Sequence, residues 1–149
     1  MSNQIETSAE APPSAKAKGS LLRSIWAVFA GTLVGVLVTL LTDAVLHAVH
    51  VFPPYGQPTT NGPLALATVY RILYSIGASY LIARLAPNKP MLHALVGGFL
   101  GLIASFIGAV TTWNHTDVFG PHWYPIALVV TALPCAWVGG KLYASRDAG

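Results

Sequence analysis

The sequence predicts an all-α integral membrane protein, a bundle of four transmembrane helices preceded by a disordered tail. Three observations carry this. Only 9% of the 149 residues are charged while 54% are hydrophobic, and the mean hydropathy is +0.59. A soluble domain spends about a quarter of its residues on charge, so a globule of this composition could not cover its own surface. The apolar residues also fall into four long runs, and the connections between the runs are rich in helix breakers. Lipid offers no partner for free backbone groups, so spans of this kind must be helices.

Residues 1–20, "MSNQIETSAEAPPSAKAKGS", carry no apolar periodicity and are rich in Ala, Ser, Pro, Lys and Glu. They are expected to form a disordered cytoplasmic tail. A cleaved signal peptide is disfavoured, because the apolar run that follows is too long and three more runs come after it. Residues 21–149 form the membrane domain, with helices expected at about 21–51, 64–85, 91–112 and 124–143. About 20 apolar residues cross a hydrocarbon core ~30 Å thick. The first run exceeds that, so its helix should tilt or project beyond the bilayer. The segments "FPPYGQPTTNGP", "APNKP" and "NHTDVFGPHWYP" mark the connections.

Basic residues set the expected orientation. Lys16, Lys18, Arg23, Arg84, Lys89, Lys141 and Arg146 all fall on one side of a four-span topology, and loops 52–63 and 113–123 contain no Lys or Arg. The positive-inside rule places both termini in the cytoplasm. Trp113, Trp123 and Tyr124 then lie at an outer aromatic belt, Trp26 and Tyr143 at an inner one.

Small residues indicate where helices can approach closely in lipid. The third helix offers Gly97, Gly101, Ser105, Gly108 and Thr112, the first Gly31, Gly35 and Thr39, and the fourth Gly139-Gly140 after Pro134, which should bend or loosen that helix. Packing within one bundle is the favoured use of these faces, and self-association or docking of a membrane-protein partner is the alternative.

Ionisable residues inside the spans carry the functional argument. At 100° per residue, His47 lies about 40° and His50 about 20° from Asp43 around the first helix. Thr32 and Thr39 share that face. Arg71 shares its face with Thr68, Ser75 and two alanines. Counted from the outer helix ends, Asp43 and Arg71 both lie ~10–12 Å deep. Either charge alone would cost several kcal/mol there. An intramembrane Asp43–Arg71 ion pair is therefore expected, with Tyr74, Thr68 or Ser75 available for leftover donors.

Two uses of the pair stay open at this point: a structural clamp between helices, or a proton or ion relay continuing through His47 and His50. Nothing on the cytoplasmic half extends such a relay beyond Thr32. His47, His50, His115 and His122 form an expected outer-side polar cluster, while His93 starts the third helix on the cytoplasmic side. Asp43, His47 and His50 are weak metal candidates, since Arg71 competes for the carboxylate. A haem would need facing histidines on two helices, so neither metal nor cofactor is expected. Cys135 lacks an acid–base partner nearby and reads as a packing residue. No phosphate loop or nucleic-acid signature is present.

Together, "TDAVLHAVHVFPPYGQP", "YLIARLAPNKPMLHAL" and "GPHWYPIALVVTALPCAWVGGKL" resemble a group of small uncharacterised bacterial four-helix inner-membrane proteins, over about residues 25 to 143. The resemblance implies a bacterial inner membrane and a four-helix layout, and brings no activity with it. The expected function is non-enzymatic: an accessory or scaffold membrane subunit. The alternative is a small transporter or proton-linked channel using Asp43, Arg71 and the outer histidines.

Overall fold

The computed structural model describes residues 13–147, with side chains from residue 19 onward. Five helices follow in order: α1 (Pro13–Ala48), α2 (Asn61–Leu85), α3 (Pro90–Thr112), the single turn α4 (Thr116–Phe119) and α5 (Trp123–Asp147). No strand occurs among the described residues. Stretches of α1, α2, α3 and α5 are each long and apolar enough to cross a membrane. The outward faces are apolar, as lipid requires: Leu41, Leu73, Phe106 and Val130 are all more than half exposed.

α1 is longer than expected at its start and shorter at its end. It begins at Pro13, eight residues before the apolar run, because Pro suits the first helical position and "SAKAK" consists of tolerated or good helix formers. The helix thus takes in residues 13–20 of the segment expected as a tail; residues 1–12 lie outside the described residues. At 36 residues the helix is ~54 Å long, well beyond a hydrocarbon core. It stops at Ala48, three residues before the expected Val51, through a backbone cap. The His50 amide donates to the His47 carbonyl at 3.1 Å and the Val51 amide to the Leu46 carbonyl at 2.9 Å. His50 takes the left-handed conformation (φ +60°) that closes this motif.

The long helices alternate in direction. At one end, called proximal here, lie the start of α1, the end of α5 and the α2–α3 connection; the distal end carries residues 49–60 and 113–122. α3 and α5 pack along their lengths, with Gly140 on Met91 and Ala94, Gly98 on Ala136, and the Trp113 ring 4.2 Å from that of His122. α2 completes a three-helix core, and α1 lies against α2 with a lesser contact to α3. Glycine sets the closest approaches. A Cβ on Gly139 would overlap the Ile76 carbonyl of α2 and lie 2.9 Å from the Tyr80 amide, so α2 and α5 meet backbone to backbone. Ile82, only 2% exposed, fills the space that Cβ atoms on Gly31 and Gly97 would occupy, and so joins α1, α2 and α3 near the proximal end. Helix α5 runs on through Pro134.

Candidate functional site

Asp43 and Arg71 meet between α1 and α2, with Arg71 Nη2 2.6 Å from Asp43 Oδ2. The first helix must bring a carboxylate to this depth against the second helix's only cation in its first half. Removing either would strand a charge in lipid. Tyr70 donates its hydroxyl to the other carboxylate oxygen, Oδ1. Both oxygens of Asp43 are thus committed, one to a cation and one to a phenol. The Tyr124 ring of α5 covers the guanidinium, with Arg71 Cζ 5.9 Å from its centroid. The Arg71 Nε is buried without an acceptor among the described residues.

Of the residues expected to satisfy leftover donors, Tyr74 and Thr68 act elsewhere and the Ser75 hydroxyl makes no hydrogen bond among the described residues. Tyr74 and Thr42 share a hydrogen bond of 3.0 Å, and the Thr68 hydroxyl donates to the Leu64 carbonyl of its own helix. The completing groups, Tyr70 and Tyr124, escape the sequence argument for different reasons. Tyr70 lies one residue off the Arg71 face but is long enough to reach round it. Tyr124 sits at a helix start, where an aromatic residue reads as an interface anchor.

The histidines occupy separate settings. His47 donates from Nδ1 to the backbone carbonyl of Asp43 (2.8 Å), stacks on Tyr55 at 4.1 Å and meets Phe52 edge-on at 5.2 Å. It touches the Asp43 backbone rather than the carboxylate. His50 is exposed and caps α1. His122 donates from Nε2 to the Trp113 carbonyl at 2.9 Å, and His115 is exposed at the start of α4. Asp43, His47 and His50 do not converge as metal ligands: the carboxylate is engaged and the His47 ring is held by the Asp43 carbonyl and Tyr55. No group of three or more His, Cys, Asp or Glu able to hold a metal occurs among the described residues. Cys135 is buried in α5.

Below the ion pair a cleft of about 370 Å³ runs along the inner faces of the helices, from Asp43 and Arg71 down to Thr32 and Ile82. Ile82 stops it at the proximal end. Phe52, Ala67 and Tyr70, with Leu46, Tyr74 and Tyr124 packed on them, stop it at the distal end. It opens at the side instead, where Leu40 and Val36 of α1 are 58% and 49% exposed and Gly101 of α3 faces open space. Scans against protein-family models, curated proteins and solved structures found no match to the chain.

Proposed function

We propose that this is a multi-pass protein of the bacterial inner membrane with cytoplasmic termini, a non-enzymatic accessory or scaffold subunit in which Asp43 and Arg71 act as a clamp. The commitment of both Asp43 oxygens carries the reading. A proton carrier needs a carboxylate that can release its partners and hand its proton onward. Here Arg71 and Tyr70 hold the carboxylate, His47 approaches only its backbone, and Ile82 blocks the cleft below. A pair held in this way fixes the register of α1 on α2. The orientation is supported by the sequence distribution of Lys and Arg, all at the proximal end except Arg71.

The test is reconstitution of the purified chain in liposomes under an imposed potential. Proton flux should match that of empty liposomes and be unchanged by Asp43→Asn. Purification in native lipid should retain a second membrane protein at fixed stoichiometry. Flux above background that disappears in Asp43→Asn would establish the relay instead.

A further inference from the structure

We infer that the lateral cleft between α1 and α3 binds one lipid-soluble molecule with a neutral carbonyl head and a slender apolar chain. The inference rests on the cleft and on Arg71, and holds whether or not the chain serves as an accessory subunit.

Size and shape come first. A volume of about 370 Å³ falls within the ~300–1,000 Å³ typical of small-molecule sites. The cleft follows α1 from Thr32 to Asp43, eleven residues or ~16 Å of helix rise. A space of that volume and length suits a single slender chain. Both ends are closed, by Ile82 and by the Phe52–Tyr70 cluster, while the side is open. In a bilayer, that mouth faces lipid.

Chemistry selects the head. Arg71 lines the distal end of the cleft with Asp43 at its side, and its side chain stays 31% exposed there. Ser75, one turn further along the Arg71 face, also lines the cleft, and its hydroxyl makes no hydrogen bond among the described residues. The site is thus rich in donors, which favours an oxygen acceptor. Asp43 already neutralises Arg71, so a carboxylate or phosphate would bring an uncompensated charge into a low-dielectric site. A neutral carbonyl adds none. Further down, Thr39 and Thr131 spend their hydroxyls on carbonyls of their own helices, and Val36, Leu40 and Leu128 offer a wall for methylenes. An acyl ester and an isoprenoid quinone share this chemistry.

The experiment uses the full chain in nanodiscs of ether-linked phosphatidylcholine, which has no ester carbonyl. Decyl-benzoquinone, 1-monoolein and oleic acid are each titrated, with native mass spectrometry and thermal melting as readouts. One or both neutral probes should give a saturable 1:1 complex, and which one binds identifies the source. Oleate should bind about tenfold or more weakly. Gly101→Leu puts a side chain where a Cβ meets nothing within 4 Å. It should weaken binding by about tenfold or more and shift melting of the unliganded protein by less than about 2 °C. Ser105→Leu fills the same wall and serves if Gly101→Leu does not fold. The inference is overturned by non-saturating uptake, by oleate binding best, or by binding that survives both substitutions. A change in oligomeric state in place of a change in binding would also overturn it, making the cleft a surface for a second copy.

Discussion

Asp43 accepts from a guanidinium on one oxygen and from a phenol on the other, and these two bonds differ in what their loss should do. Tyr70→Phe keeps the ring in its cluster but leaves Oδ1 without a donor, a cost of about 1–2 kcal/mol in unfolding experiments. Flux and topology should be untouched. His50 offers the opposite sign. It holds a left-handed conformation that glycine adopts freely, so His50→Gly should stabilise the fold by about 1 kcal/mol. A residue retained as a ligand would instead show a loss of function on that change, measurable as a lost metal or ligand signal. At this scale the sequence was informative wherever depth and helical face constrained a charge. Asp43 and Arg71 had few ways to avoid each other, whereas Tyr70 and Tyr124 had apolar bodies that fitted several roles. Face and spacing put His47 and His50 beside Asp43, yet the chain's exit from the helix at Ala48 turns His50 into a cap.

At the scale of helices, small residues divide into two kinds that sequence alone does not separate. Gly139 lies against the α2 backbone, and Gly31 and Gly97 lie against Ile82, while Gly101 and Gly108 have no neighbour at the Cβ position. Gly139→Ala should therefore destabilise by about 3 kcal/mol, the upper part of the overpacking range, because backbone atoms cannot step aside. Gly101→Ala should be neutral or slightly stabilising, since it also raises helix propensity. Comparing their melting temperatures in one lipid mixture checks both. A recurring small residue announces only that a face could approach another. Which glycines of the α3 stripe touch something is a tertiary fact, set by where Ile82 of α2 reaches Gly97 and nothing reaches Gly101 or Gly108. The four spans themselves were legible because apolar length leaves little choice. The single turn α4 was not, being four residues of "TDVF" inside a stretch of breakers.

For the whole molecule, the uneven placement of Lys and Arg is the strongest global signal in the chain. It predicts that a cysteine introduced at Gln57, in the exposed α1–α2 connection, is labelled from outside by a membrane-impermeant maleimide in intact cells. One at Ser145, near the proximal end, should be protected until the membrane is opened. These labels must be read against a Cys135→Ala background, although Cys135 is itself buried. The clamp reading ties this topology to the ion pair: α1 packs chiefly on α2, and the pair fixes its register there. The most direct measurement is a double-mutant cycle of Asp43→Asn and Arg71→Gln, followed by reversible unfolding in lipid. Each single change should cost about 3 kcal/mol by stranding the other charge, and the double variant should recover about 2 kcal/mol of the summed loss. Losses that simply add would contradict the clamp.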